Sequence, residues 1–255
     1  MRVATFNING INARRARLDE WLAATRPDVA CLQEIKTEHF PAAEYEAQGW
    51  QVVWAGQKSF NGVAILSRLP IEEVSRALPG DEADRQARWL EARVADVHIA
   101  CLYLPNGNPA PGPKFDYKLS WMERLRVRAA ALLLAEVPTV LAGDWNVCPT
   151  DRDLARPEAM AQDALCLPET RQSFRAIMSQ GWTEAIRARF PHNEVYTYWD
   201  YQAGAWAKNW GLRIDHLLLS PAAADRMTEA GIDRDMRAAE KASDHVPVWV
   251  ELSSA

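Results

Sequence analysis

Short apolar runs recur from end to end of this chain, and several of them stop on an acid or an amide. RVATFN (residues 2–7) ends at Asn7, VACLQE (29–34) at Glu34, and TVLAGDWN (139–146) at Asp144 and Asn146. RIDHLLLS (213–220) carries Asp215 near its start, and Asp244 with His245 leads into VPVWVEL (246–252). Apolar runs of about 4–8 residues read as strands. Strands collected into sheets bring their ends together, so polar groups at those ends gather around a common mouth. This one pattern therefore constrains both the fold and the place where chemistry would happen.

WQVVWAG (50–56), GVAILS (62–67), WLEARVADV (89–97) and HIACLYL (98–104) are further strand candidates. Leu18, Trp21, Leu22 and Thr25 recur at helical spacing in RARLDEWLAAT (15–25), and Pro27 stops that helix. A long helix is expected from 114 to about 135, with Trp121, Leu125, Ala129 and Leu132 on one face, and another including 173–180. Strands mixed with helices, many strands following one another directly, favour packed mixed sheets flanked by helices over a strictly alternating parallel fold. No Gly-, Ser- or Pro-rich linker divides the chain, so residues 1–255 are expected to form one domain. The turn-rich LPNGNPAPGP (104–113) lies between a strand and a helix and reads as a surface loop.

Composition removes whole classes of function. Cys31, Cys101, Cys148 and Cys166 are widely spaced with no CxxC pair, which argues for buried reduced thiols and against a zinc site. No apolar run approaches the ~20 residues that span a bilayer, and MRVATFNINGI lacks the features of a signal peptide. A cytoplasmic, soluble monomer is expected. Twenty-nine Lys and Arg against 34 Asp and Glu leave a net charge of −5, poor for gripping nucleic acid by bulk charge alone. A nucleic-acid enzyme stays open, because carboxylates gathered around a metal also lower the net charge.

Each polar strand end has an ordinary explanation by itself. Asn7 and Asn9 can cap a turn before Gly10, Glu34 can be a solvated terminus, Asp215 can pair with Arg213, and Asp244-His245 can cap the last strand. Asp144 and Asn146 are harder to dismiss, since two residues apart on a strand share a face. Five such coincidences in one chain are a poor account. Carboxylate and amide oxygens without thiolates suit a hard cation, Mg²⁺ or Mn²⁺, which binds through one or two carboxylates plus substrate phosphate oxygens. A phosphate-handling metal enzyme is the leading reading.

The strings FNINGI (6–11), LQEIK (32–36), YLPNG (103–107), GDWN (143–146), GLRIDH (211–216) and SDHVPV (243–248) occur in this order. Together they resemble the exonuclease III family of apurinic/apyrimidinic endonucleases, within the endonuclease/exonuclease/phosphatase superfamily. KFDYKLSWM, from residue 114, resembles its bacterial branch. The resemblance implies an α+β, four-layer sandwich of two packed mixed β-sheets with helices outside. It also implies Mg²⁺-dependent hydrolysis of phosphodiester bonds in double-stranded DNA, 5′ to abasic sites and at 3′ ends.

Carried onto this chain, the resemblance makes Glu34 the direct metal ligand, with Asn7 and Asp244 completing or bracing a shell that Asp144, Asn146 and His245 also approach. Asp144 is the implied water-activating carboxylate, and Asn146 orients it and donates to the phosphate. His245 is the implied catalytic histidine and also meets DNA, Asp215 orients its ring, and Tyr103 reaches phosphate or leaving oxygen. His216 falls on the opposite strand face from Asp215 and is expected to be structural. Tyr198, Trp199, Trp206 and Leu212 are expected to form an apolar slot for a base-less sugar. Tyr198 and Trp210 stand where some similar proteins carry Trp and Arg. Arg85, Arg88, Lys114, Lys118 and Lys208 are candidate phosphate contacts. Two other functions fit the superfamily, a phosphoesterase of small phosphorylated substrates and a non-catalytic nucleic-acid-binding regulator. The first lacks YLPNG with KFDYK, and the second predicts lost ligands.

Overall fold

The computed structural model describes residues 1–254. One sheet takes β1 (Arg2–Asn7), β2 (Val29–Gln33), β3 (Gln51–Ala55), β4 (Val63–Ser67), β11 (Met227–Ile232) and β12 (Val248–Leu252), in the order β11-β12-β1-β2-β4-β3. The other takes β5 (Ile71–Ser75), β6 (Trp89–Val94), β7 (Val97–Tyr103), β8 (Thr139–Asp144), β9 (Thr183–Glu184) and β10 (Asp215–Leu219), in the order β5-β6-β7-β8-β10-β9. The helices are α1 (Ile11–Thr25), α2 (Ala42–Glu46), α3 (Pro113–Leu133), α4 (Pro168–Met178), α5 (Ala185–Arg189) and α6 (Pro221–Ala224). None of them is long and apolar enough to cross a membrane.

Each sheet is antiparallel except at one central pair, β1 with β2 and β7 with β8, which run parallel. A parallel pair needs a crossover rather than a hairpin, and α1 and α3 supply it. The alternation of strand side chains then builds the layers. Val3, Val29 and Cys31 point between the sheets, where they meet Leu90, Ile99, Cys101 and Val140. Ala4, Phe6, Ala30 and Leu32 point outward under Leu18, Trp21 and Leu22 of α1. Across the sandwich, Trp121, Leu125 and Phe174 of α3 and α4 cover Ala100, Leu102 and Leu141. The result is four layers, helix–sheet–sheet–helix.

Several boundaries differ from the sequence reading. α1 starts at Ile11 rather than 15, and α4, expected to include 173–180, runs from Pro168 to Met178 and so stops short of 180, with proline in its first turn where its missing N–H costs nothing. The 104–113 segment is more than a surface loop, since Leu104, Pro105 and Gly107 are buried in it. All four cysteines are buried and free.

Candidate active site

The register of the strands sets the site. β1 and β2 end together, Asn7 opposite Gln33, so Glu34 stands beside Asn7. In the other sheet Tyr103 pairs with Asp144, and Asp144 with Asp215. Close approach of β7 and β8 requires the glycine of GDWN, since a Cβ on Gly143 would sit 2.0 Å from the Leu102 carbonyl oxygen. One amide then ties the sheets together: Asn7 Nδ2 donates to Glu34 Oε1 and to Asp144 Oδ2, both at 2.9 Å.

Glu34 collects further donors. The Tyr103 hydroxyl donates to its Oε1 at 2.9 Å, and Lys36 Nζ pairs with Oε2 at 2.6 Å. Asn9 Nδ2 donates to Asp244 Oδ1 at 3.0 Å. Asn9, Glu34, Lys36 and Asn146 all have φ near +50°, a region that costs a non-glycine residue roughly 1–2 kcal/mol. The turns are held by backbone bonds such as Gly10 N–H to Glu34 O at 2.7 Å.

His245 Nδ1 bonds Asp215 Oδ2 at 2.9 Å, and the Thr197 hydroxyl donates to the same oxygen at 2.6 Å. This fixes the ring with Nε2 3.7 Å from Asp144 Oδ2. Asn146 donates its backbone N–H to Asp144 Oδ1 at 2.9 Å, its Nδ2 to Leu104 O at 2.9 Å, and accepts from Asn106 Nδ2 at 3.1 Å. His216 faces away, bonded to Arg213 and to Val147 O.

Burial and charge divide the three central groups. Burial opposes ionisation of Glu34, yet Lys36 and the Asn7 amide hold it below its ordinary value. Burial raises Asp144, with Asp215 and Glu34 adding to the effect against the pull of His245. Burial works against the His245 imidazolium, but Asp215 and then Asp144 outweigh it and push the ring up to about 10. Tyr103 is raised far above the ordinary phenol range by burial and by Glu34 and Asp144, so it remains a donor.

Oxygens of Glu34 and Asp144 and a ring nitrogen of His245 lie within 4.8 Å of one another. This oxygen-rich, thiolate-free set fits a hard divalent cation. A cation there would also relieve the crowding that raises Asp144. Asn7 is committed on both ends of its amide, since its Oδ1 accepts from Asn9 N–H at 3.0 Å, which places it as a brace for the two carboxylates. Asp244 opens onto the same cavity with one oxygen held by Asn9.

That cavity has a volume of about 540 Å³. Glu34, Tyr103, Asp144, Asn146, Asp244 and His245 form one wall, and Tyr198, Leu212, Trp210, Met160 and Arg156 another. The Tyr198 ring meets His245 edge-on at 5.0 Å. Trp206 and Trp199 are not in the lining. They pack edge-on against each other at 4.9 Å, with Arg234 over Trp206 at 4.4 Å, and Trp210 faces the cavity in their stead.

The cations spread out. Arg88 donates to Tyr103 O at 3.1 Å and stacks 4.7 Å from its ring, behind the wall. Lys114 is exposed at the start of α3, outside the cavity lining, and Arg85 is exposed as well. Lys118 overturns the expectation of a surface phosphate contact. It is fully buried, its Nζ donates to Asn146 O at 2.6 Å and Asn106 O at 3.0 Å, and burial pulls it down to about 7. It clamps the YLPNG and GDWN loops from beneath. Lys36, Asn106, Thr197 and Arg156 are additions that the sequence alone does not single out. Lys36 and Asn106 stand inside quoted motifs, but Thr197 and Arg156 had no local signal.

Comparison with known proteins identifies the family. A family model described as the endonuclease/exonuclease/phosphatase family matches residues 4–245. An exodeoxyribonuclease III from Haemophilus influenzae is 33% identical, over 99% of this chain and 100% of its own. An AP endonuclease structure from Archaeoglobus fulgidus superposes with a TM-score of 0.95 at 33% identity, covering 100% of both chains. The 3′ phosphatase NExo from Neisseria, bound to product DNA hairpin, superposes with a TM-score of 0.96 at 36% identity, again over 100% of both.

Proposed function

The chain belongs to the endonuclease/exonuclease/phosphatase family as a metal-dependent phosphodiesterase of the exodeoxyribonuclease III type, and from that premise we propose that it is a DNA-repair nuclease using Mg²⁺, with Mn²⁺ able to substitute. Its proposed substrate is double-stranded DNA, cut 5′ to abasic sites and trimmed at 3′ ends. The observation that carries the reading is the single constellation Glu34–Asn7–Asp144–His245–Asp215, spanning both sheets at one end of the cavity. A regulator without catalysis has no use for that assembly. All four thiols being buried and free supports a reducing, cytoplasmic setting, and we take the whole chain as one catalytic domain acting as a monomer.

The ion, held by Glu34 with Asp144, Asn146 and Asp244 around it and with His245 beside it as a donor to phosphate rather than a ligand, would neutralise phosphate charge and stabilise the leaving 3′ oxygen. The remaining work falls to side chains. Asp144, raised toward neutrality by burial, accepts the proton of the attacking water. His245, kept as imidazolium by Asp215, donates from Nε2 to a non-bridging phosphate oxygen. Asn146 orients Asp144 through its backbone N–H, and Tyr103, always protonated, steadies Glu34 and faces the leaving group. Tyr198 and Leu212 accept the base-less sugar, which a nucleotide could enter only by unstacking its base. Trp206, Arg88 and Lys114 are proposed to act from outside the cavity, through the slot wall and the flanking duplex.

The test uses two labelled duplexes, one abasic and one intact with recessed 3′ ends, incubated with the protein and Mg²⁺. Cutting of the abasic strand on its 5′ side and shortening of the recessed ends are expected. Loss of phosphate from a small phosphomonoester with both duplexes untouched would overturn the reading.

A further inference from the structure

For a strand of DNA, the cavity is an acidic place. Glu34, Asp144, Asp163, Asp200 and Asp244 line it, whereas among the described residues Arg156 is the one lysine or arginine that does. A strand brings a negative charge with every nucleotide, about 3.4 Å apart along the helix axis. His245 and the metal ligands face the bond being cut, so the adjoining phosphates still need a partner.

The Arg156 guanidinium lies 4.2 Å from the centroid of the Trp210 ring, and Lys208 Nζ also lies 4.2 Å from that centroid. The indole attracts both cations, and Lys208 is further tied to Ala203 O at 2.8 Å. Among the described residues neither cation has a carboxylate within 4.0 Å. Other arginines near the surface are neutralised, Arg15 by Glu44, Arg76 by Glu73 and Arg126 by Glu123. Arg26, Arg85, Arg152 and Arg175 are exposed and, among the described residues, unpaired, but they lie outside the cavity lining. At this rim the chain fixes two cations on a ring and leaves their charge free.

We propose that Arg156 and Lys208, seated on Trp210, form a phosphate subsite for the cut strand beside the scissile phosphodiester, with Arg156 as the direct contact. The planar guanidinium fork suits a phosphate's two oxygens. Stacking on the indole sets its direction at little entropic cost. The subsite rests on the DNA-nuclease reading of the cavity and adds where the neighbouring nucleotide is held.

Equilibrium binding to an abasic duplex, in EDTA so that nothing is cut, tests this for wild type, Arg156→Met, Arg156→Lys, Lys208→Met and Trp210→Leu. Arg156→Met is expected to weaken binding roughly tenfold and to flatten the log Kd against log salt slope by about 0.7–0.9, one phosphate contact. Trp210→Leu, which removes no charge, is expected to lose most of the same affinity, and Arg156→Lys to recover part of it. Single methylphosphonates placed in turn on either side of the abasic site then locate the contact. One position should weaken wild type and have no further effect on Arg156→Met. An unchanged slope and an unchanged methylphosphonate pattern in Arg156→Met, with wild type binding and cutting normally, would overturn the subsite alone. Failure of wild type to bind DNA would overturn the nuclease reading and the subsite with it.

Discussion

Asp144→Asn keeps the shape of the side chain and reverses one of its hydrogen-bonding ends. Both oxygens of Asp144 accept, Oδ1 from Asn146 N–H and Oδ2 from Asn7 Nδ2, each at 2.9 Å. Whichever way the new amide turns, its NH₂ meets a donor. Asn7 cannot turn to accommodate it without losing its 2.9 Å bond to Glu34 and its 3.0 Å bond from Asn9 N–H. One buried donor is left unmatched, a cost of about 1–3 kcal/mol. Removing a carboxylate that burial, Asp215 and Glu34 all push upward offsets part of this. The folding change should therefore stay below that range, a few degrees in Tm for a chain of this size. The rate is another matter. The group that accepts the water proton is gone, which typically costs about 10²–10⁴-fold, or roughly 3–5 kcal/mol of barrier. DNA affinity should hold or rise, because one negative charge near the phosphate has been removed. Single-turnover cleavage of an abasic duplex, with binding and thermal unfolding measured on the same protein, separates these effects. His245→Asn should lose a comparable amount. If both groups serve one step, the double variant should lose far less than the product of the single losses. Near-normal cleavage by Asp144→Asn would refute the assignment of its carboxylate.

Chelation by EDTA should abolish cleavage, added Mg²⁺ or Mn²⁺ should restore it, and Glu34→Ala should shift the metal titration more than DNA binding; full activity in EDTA would remove the metal from the mechanism. Asp153 and Glu184 share the buried Arg213, which holds both carboxyls down to about 2 against burial. Their folded values are depressed, so their contribution is complete above the ordinary carboxylate range and is lost as pH falls; urea midpoints should decline between about pH 4.5 and 2. Arg213→Met should cost about 3–5 kcal/mol at pH 7, with a smaller gap from wild type at pH 2, and a gap independent of pH would contradict the network. Trp206→Ala should lower Tm more than it lowers abasic cutting, because its ring packs on Trp199, while Tyr198→Ala should do the reverse; cleavage rates beside thermal melts decide between them.

What could be read in the sequence follows burial. β1, β2, β4, β7, β8 and β10 are buried almost throughout, so their runs are continuously apolar and stand out in the sequence. β5 is an edge strand with three of its five residues exposed, β9 has two residues, and MTEAGI of β11 has little apolar signal. α2, α5 and α6 run only four or five residues, too short for a 3.6-residue period to register. The first turn of α1 holds Asn12, Ala13 and Arg14, which carry no apolar stripe, so periodicity alone places its start too late.

The same logic separates the site residues. Asn7, Glu34, Tyr103 and Asp144 close buried runs and Asp215 opens one, so the sequence exposes them where apolar character stops or starts. The other participants are specified by partners distant in the chain. Thr197 reaches Asp215 across eighteen positions, and Asn106 reaches Asn146 across forty. Trp206 and Trp210 belong to a turn segment with neither a 2.0 nor a 3.6 period, so no local rule assigns one to the core and the other to the cavity. Lys118 is the sharpest case. On α3 it reads as a solvated cation, yet it is fully buried because two loops leaving the same edge of the sheet offer it the carbonyls of Asn106 and Asn146. Each loop follows a strand of the parallel pair β7–β8, and α3, the crossover that pair requires, is the element that carries the lysine beneath both. The connection that makes the sheet possible thus also delivers the group that holds its catalytic loops together.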